Sequence, residues 1–441
     1  RSRNIDKMSH KCPVKELFKI GKLMIIIEKK RFFDVTHLNW VSLDSGFIEL
    51  TIMNVGRPIF SQIVDVIYRA QFDRCVSNYP MPRKSKSFTA RDQFLCMAFA
   101  QLTFRESLRD IEACLRSQAN LLYAMGIRGL VTRTNLAYAN ESRDWRVYFE
   151  LAQILIRKAR KLYAADRYIV EIDEIVYAID ASTIDLCMSL FPWARFRKNK
   201  SAIKLHAMID LNGSIPAFVA ITEGKVHDVN ALDWIIFEAG AFYVMDRGYV
   251  DFARLDRIHS ALAFFVTRAK INMKYYVRES RPVDKSVGLR SDQTIRLNGT
   301  KTKGLYPRDL RRISFLDTET GKRLVFITNN FEIAAIVIAK IYKARWQIEL
   351  FFKWIKQNLR VKSFYGLSEN AVKTQIWIAI STYLMVAILN KTLGIDQSMS
   401  RMLQVISVNI FSKDPIHQLL MKTHTRDLNI DISNQLIFKD L

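Results

Sequence analysis

Tyr168–Asp180 reads YIVEIDEIVYAID, and here the chain stops looking helical. β-branched and aromatic residues crowd the stretch without the three-to-four spacing of an amphipathic helix, which predicts a strand. IKLHAMIDLNGSIPAFVAIT (203–222) reads as two more strands joined at Asn212-Gly213, a strong hairpin signal. VHDVNALDWIIFEAG (226–240) then predicts a helix, AFYVMDRG (241–248) a strand, DFARLDRIHSAL (251–262) a helix and AFFVTRAK (263–270) a strand. Three strands, helix, strand, helix, strand is the order of a mixed α/β sheet with an antiparallel start.

Upstream, the pattern from Pro58 to about Arg74 predicts one amphipathic helix. Thr89–Gly126 predicts two helices, the second starting near Ser107. Val131–Tyr163 predicts a polar helix start around Thr132 and a long basic helix. Short helices with arginine and polar residues at their starts fit a helix-turn-helix-like DNA-binding module, and equally any small helical bundle. Downstream, YYVRES, QTIRLNG and RRISFLD are strand-like pieces of a β-rich insertion, and KRLVFITNN is a further strand. FEIAAIVIAKIYKARWQIELFFKWIKQNL (331–359) returns to helix, and so does the chain from Ser368 onward, apart from loops at Gly394 and Asp414-Pro415. Met53 offers a translational start, so residues 1–52 are expected to be a non-native or disordered extension. The remaining boundaries are 53–165 for an N-terminal helical DNA-binding domain and 166–270 for the first part of the core. The insertion is 271–322, the second part of the core 323–366, and the C-terminal helical region 367–441.

A chain of 441 residues with 49% hydrophobic content has room for two or three cores. Lys and Arg number 67 against 43 Asp and Glu, a net charge of +24 spread along the length. Such a charge favours a polyanionic partner, with nucleic acid first; plain solubility or an anionic membrane surface are the alternatives. The five cysteines lack zinc or disulfide spacing, which points to a reducing compartment. The apolar run IWIAISTYLMVAIL (376–389) is short for a membrane span and reads as a buried helix.

Two aspartates follow apolar runs that predict buried strands: Asp180 after IVYAI and Asp246 after AFYVM. Each carboxylate is expected at a strand end, where α/β folds place reactive groups; helix N-capping is the plainer alternative. In YKARWQIELFFKWIK (342–356), Tyr342, Arg345, Glu349 and Lys356 keep helical time and share one stripe. An Arg345–Glu349 surface ion pair would explain part of that stripe. Together with Asp180 and Asp246, Glu349 would complete a three-carboxylate site for two Mg²⁺ ions, which prefer oxygen ligands and leave room for water and phosphate. Arg345 and Lys356 would then hold the DNA backbone beside the reacting bond. His206, with Lys204 on the same strand face, is expected either to point toward the carboxylates and the DNA, which makes Lys204 a candidate DNA contact, or to be a hydrogen-bonded structural histidine. Arg195, Arg197, Lys198 and Lys200, in the loop after Pro192 with Trp193, are candidate DNA contacts or a solvated surface. Asp173, Glu174 and Asp185 read as strand-edge or helix-start residues, and His227 with Asp228 as a helix cap.

Asp180 in AIDASTIDL, Asp246 in VMDRGYVDF and Tyr342-x2-Arg345-x3-Glu349-x6-Lys356 resemble the DDE transposases of the IS4 insertion-sequence family and their Y-R-E-K signature. KSFTARDQFLCMAFAQLTFRESLRDIE and IKLHAMIDLNG are similar to that family's N-terminal region and core, so the resemblance covers about residues 55 to 430. Ala181 departs from it, standing where relatives often carry serine or threonine. The resemblance implies an α/β fold whose RNase H-like mixed-sheet core is interrupted by a β-rich insertion, between helical N-terminal DNA-binding and C-terminal regions. It implies metal-dependent cleavage and strand transfer by Asp180, Asp246 and Glu349, with two Mg²⁺ ions per site or Mn²⁺ as substitute. Tyr342, Arg345, Lys356 and Arg247 are the implied DNA contacts near the site. The implied partner is double-stranded DNA, as inverted-repeat ends and as target, held by a homodimer in the bacterial cytoplasm at the nucleoid rather than at a membrane. The C-terminal helices from about 368 to 430, with the apolar run 376–389, are the expected dimer surface, unless that run packs against the catalytic domain of its own chain. A catalytically inactive DNA-binding relative and an RNase H-like nuclease are the alternatives.

Overall fold

The structure is a computed structural model that describes residues 56–80, 87–166, 172–198, 200–358, 364–395 and 397–421. The expected extension at 1–52 therefore lies outside the described residues.

The N-terminal helices begin where capping residues stand. They are α1 (Ile59–Val64), α2 (Arg69–Ser77), α3 (Ala90–Leu102), α4 (Leu108–Ser117), α5 (Ala119–Leu122), α6 (Arg133–Ser142) and α7 (Arg146–Tyr163). Thr89 and Asp92 form a capping box at α3, while Ser107 and Thr132 accept from the N–H groups of Asp110 and Asn135 at α4 and α6. The single helix expected over 58–74 is two, because the chain turns at Asp65–Tyr68. Helix α3 is buried along nearly its whole length and forms the centre of this bundle.

The sheet contains β1 (Val176–Leu186), β2 (Arg195–Arg197), β3 (Lys200–Asp210), β4 (Ile215–Glu223), β5 (Phe242–Met245) and β6 (Phe264–Arg268). The insertion adds β7 (Tyr275–Arg281), β8 (Leu289–Leu297) and β9 (Asp309–Leu316), followed by β10 (Arg323–Thr328). Pairing runs β4-β3-β1-β5-β6: β3 is antiparallel to both β4 and β1, and β5 is parallel to both β1 and β6. This is an RNase H-like mixed sheet. The insertion makes no separate layer; β10 pairs antiparallel with β6, and β9, β8 and β7 follow outward in the same sheet. The β3–β4 hairpin turns at Gly213, whose φ of +80° favours glycine.

One face of the sheet buries Tyr177, Ile179, Tyr243, Met245, Phe265 and Ile327 against Leu255 and Ile258 of α8 (Phe252–Ser260). After the short α9 (Thr302–Leu305), α10 (Ala335–Ala344) and α11 (Trp346–Asn358) pack on β1, β5 and β6. The stretch 226–240 is not the expected helix. It forms only a 3₁₀ turn at Asp228–Asp233, and its aromatics anchor singly, Trp234 against His206 and Phe237 against Tyr243.

Helix α12 (Glu369–Leu393) is long and apolar enough to cross a membrane, yet its most apolar window is 94% buried within this chain. It packs on α3, α6 and α7, and α13 (Met399–Asn409) packs beside it. The apolar run 376–389 therefore packs within its own chain, chiefly against the N-terminal helices, which leaves it no apolar face for a second copy.

Candidate active site

The parallel ladder sets two carboxylates side by side. Ile179 opposite Met245 is the last β1–β5 pair, so Asp180 and Asp246 leave adjacent strands at one level, with backbones about 4.8 Å apart. Alternation turns Asp180 to the face opposite the buried Ile179. Asp180 is not at the end of its strand, because β1 continues against β3 to Leu186 with Asp180 opposite Ala207. What ends there is the parallel pairing, which opens the space beside it.

The third carboxylate arrives on α11. The helix expected to run unbroken through this region tightens at Arg345, whose N–H donates to the Tyr342 carbonyl at 3.2 Å while its carbonyl accepts from Ile348 at 3.1 Å. Both are i→i+3 bonds, and they separate α10 from α11. Arg345 Nη1 donates to Asp180 Oδ2 at 3.0 Å and Nη2 to Glu349 Oε1 at 2.6 Å. The guanidinium is only 15% exposed, and its buried Nε has no acceptor among the described residues. Tyr342 lies half-buried, its ring 4.8 Å from Phe326 and 5.9 Å from the guanidinium.

These charges perturb one another. Burial pushes the Asp180 carboxyl up to about 6; the Ala181 N–H and Arg345 oppose that, and Asp246 and Glu349 add to it. Burial works against the Arg345 charge, but Asp180, Tyr342 and Glu349 outweigh it and raise its pKa. Asp180 Oδ1 accepts from the Ala181 N–H at 2.8 Å. Asp246 does act as a cap, for the 3₁₀ turn Arg247–Tyr249, accepting from the Gly248 N–H. A Cβ at Gly248 would sit 2.9 Å from Asp246 Oδ1, so a larger residue there would displace that carboxylate oxygen. An open cleft of about 560 Å³ adjoins Asp246 and is lined by Arg247, Gly248, Lys270, Ile271 and Asn272.

Tyr249 is a member of this constellation that the sequence reading passed over. Its phenol is buried, its hydroxyl has no partner among the described residues, and burial followed by Asp180, Asp228 and Asp246 raises its pKa. Its place three residues after Asp246 was the available signal.

Oxygen-only, anionic donors suit Mg²⁺ or Mn²⁺, and the mutual repulsion at Asp180 is what a divalent cation would relieve. Among the described residues, however, no three His, Cys, Asp or Glu groups are grouped closely enough to hold a metal ion. The carboxylates are brought together through Arg345 rather than into a ready cage. In kind the oxygen donors fit the ion; in place, the Arg345 guanidinium stands between Asp180 and Glu349.

The remaining candidates divide by face. His206 pairs opposite Ala181 and Lys204 opposite Thr183, so both project away from Asp180. His206 is fully buried, with Nε2 2.9 Å from Thr222 Oγ1 and its ring 5.5 Å from Trp234, and burial pushes its pKa down to about 4. Lys204 pairs with Asp228 at 2.8 Å and donates to the Val226 carbonyl at 2.7 Å. The expectation that these two face the carboxylates is corrected by that register, and His206 is the structural histidine. Asp185 lies in β1 on the face opposite Asp180, not at a helix start, while Asp173 and Glu174 are exposed ahead of the strand. His227 precedes the 3₁₀ turn without a side-chain cap bond. Arg195, Arg197, Lys198 and Lys200 are exposed around the β2–β3 hairpin, and Trp193 Nε1 is tied to the Leu367 carbonyl at 2.7 Å. Arg247 is exposed, and Lys356 is half-buried in the last turn of α11.

Comparison with known proteins meets this arrangement from another side. Residues 171–385 match the family described as the transposase DDE domain, and residues 55–128 match a domain of unknown function. A putative transposase, y4zB, of Sinorhizobium fredii is 32% identical over 289 residues, covering 64% of this chain and 78% of that protein. A probable transposase for insertion sequence element IS5377 of Geobacillus stearothermophilus is 31% identical, over 47% of this chain and 54% of the relative. A putative transposase for insertion sequence element IS4SA of Synechocystis is 27% identical, over 62% and 76%. With two aspartates in parallel register and a helix glutamate tied to the first of them, the chain belongs to the IS4-like DDE transposases of bacterial insertion sequences.

Proposed function

We propose that the protein binds the terminal inverted repeats of its insertion sequence, cleaves the DNA there and transfers the released strand to target DNA. The reading rests on one observation above the others: Asp180 and Asp246 stand at one level on parallel strands, and Arg345 ties Glu349 to Asp180. Asp180, Asp246 and Glu349 would hold Mg²⁺ or Mn²⁺, two ions per site. When bound, such ions supply charge for activating a nucleophilic oxygen and stabilising the departing 3′ oxygen in an in-line displacement. Water attacks phosphorus in the first step and the 3′ oxygen leaves; in the second, the freed 3′ hydroxyl attacks a target phosphate, and the target strand's own 3′ oxygen leaves with the proton. Arg345 and Lys356 position phosphates on either side of the reacting bond, with Tyr342 supporting the Arg345 guanidinium. Arg247 at the Asp246 cleft and Arg195, Arg197, Lys198 and Lys200 at the hairpin extend the backbone track. The N-terminal helices of residues 53–165 supply further DNA binding, and the protein works in the cytoplasm on the nucleoid.

Incubating the full chain with duplexes carrying its element's ends and MgCl₂, then mapping the products, tests the reading. Asp180→Asn is expected to bind the ends and leave them uncut; Mg²⁺-dependent cutting by that variant would sink the assignment. We infer that two copies hold a pair of ends, so sedimentation of the DNA complex should give two subunits, and a strictly monomeric complex that still completes transposition would refute this.

A further inference from the structure

Arg345 does more than a phosphate-binding side chain needs to. Two arms of its fork hold Asp180 Oδ2 and Glu349 Oε1, at 3.0 and 2.6 Å, and the third donor, Nε–H, is buried without an acceptor among the described residues. A guanidinium in this position neutralises the same two carboxylates that a divalent cation would use. The tight turn at residue 345 places it there through the backbone, and the Tyr342 ring backs it. One cationic group is thus shared between two claims, the carboxylates it already binds and an anion to which Nε–H can still donate.

We propose that Arg345 is a positioning residue that couples DNA binding to metal binding: it braces Asp180 and Glu349 in place of a metal ion until a DNA phosphate draws it away. This inference rests on the carboxylate site proposed above. Metal and guanidinium compete for Asp180 and Glu349, while phosphate and carboxylates compete for the guanidinium. End DNA therefore raises metal affinity, and metal raises DNA affinity by the same factor, as linkage between two binding equilibria requires. The consequence is a site that binds metal weakly, and cuts little, before an end has been recognised.

Mn²⁺ binding to the full chain, followed by electron paramagnetic resonance or calorimetry with and without an end-repeat duplex, reads the coupling directly. The wild type is expected to bind Mn²⁺ about tenfold more tightly with the duplex, within the usual range of coupling between sites. Arg345→Ala should bind Mn²⁺ more tightly than wild type in the absence of DNA and show little further gain when DNA is added. Arg345→Lys keeps the charge and the fold but not the fork, and should retain part of the coupling. An Arg345→Ala protein that is folded, binds the duplex and keeps the wild-type gain in Mn²⁺ affinity would overturn the proposal. Asp180→Asn separates the two readings: unchanged Mn²⁺ binding in that variant defeats the carboxylate site itself, whereas lost binding there with unaltered coupling in Arg345→Ala defeats only the role of Arg345.

Discussion

On one face of the β1–β3 ladder Asp180 meets Arg345, which also holds Glu349; on the other, Lys204 meets Asp228 and His206 meets Thr222. Both networks are made of residue types common in active sites, and they lie within a few residues of each other along paired strands. They differ in what is left over. On the Asp180 face two carboxylates, Asp180 and Glu349, share one arginine with Asp246 on the neighbouring strand, and burial pushes the Asp180 carboxyl up. On the other face the lysine has one aspartate, and the histidine is sealed beneath Trp234 and kept neutral. Uncompensated charge marks the reactive face, and a paired lysine beside a buried neutral histidine marks the supporting one.

The largest test of that contrast is cleavage. Asp246→Asn and Glu349→Gln should each lower end cleavage by about 10³-fold or more, the scale of losing a charged group at a reacting centre. Their affinity for end DNA should stay near that of wild type. Lys204→Ala and His206→Gln should leave the rate per folded molecule within severalfold of wild type. A His206→Gln protein that folds normally yet loses cleavage to the same extent as Asp246→Asn would erase the distinction between the faces.

Stability against pH, measured in a chelating buffer, is the next test, because the two faces carry opposite signs. His206 has a folded pKa near 4, below its unfolded value of about 6.5. The unfolded chain takes up that proton first, so His206 removes stability as pH falls from about 6.5 toward 4. Asp180 has a folded pKa near 6, above its unfolded value of about 3.9. Its favourable contribution is fully present below about 3.9 and is lost as pH rises through 6. Asp180→Asn should therefore melt about 2 °C higher than wild type at pH 7.5, with the gain gone near pH 4. His206→Gln should flatten the acid limb of the stability profile. An Asp180→Asn variant less stable than wild type at pH 7.5 would show that Arg345 outweighs burial and repulsion.

The same contrast shows what the sequence could and could not disclose. Thr89, Ser107, Thr132 and Ser368 announce helix starts because a capping side chain acts within its own turn, and Asn212-Gly213 announces its hairpin for a similarly local reason. The carboxylates were legible too, since each follows a run apolar enough to be a buried strand. The face of His206 was not. Alternation shows that Lys204 and His206 share a side of β3, but which side depends on the register with β1, and one residue of slip would reverse it. The stretch 226–240 misled for another reason: its apolar residues are spent in separate contacts, leaving Ile236 90% exposed, so no common helical face exists to bury. Tyr249 was hidden because a tyrosine in a turn gives no sign of being buried.

The smallest expected effect concerns Lys356, which lies on the helix covering the Asp180 face. It stands seven residues beyond Glu349, about 10.5 Å along the axis at roughly 1.5 Å per residue. That is too far to share a metal ion with Glu349, since metal–oxygen bonds are about 2 Å, but suits a phosphate one or two nucleotides from the reacting bond. An ammonium there supplies a point charge without reading a base. Lys356→Ala should weaken end-DNA binding and lower the slope of log affinity against log salt by about one unit, with Mn²⁺ affinity little changed. Lys204→Ala is the matched control: it also deletes one lysine, but one on the strand face turned away from Asp180, so its slope should equal that of wild type. If net charge alone governed binding, the two variants would shift together. If Lys356 served only to pack α11, its removal would leave affinity and slope unchanged and alter stability by a few tenths of a kcal/mol at most. A salt series on both variants therefore decides whether the reactive face extends along α11 to its last turn or stops at the carboxylates.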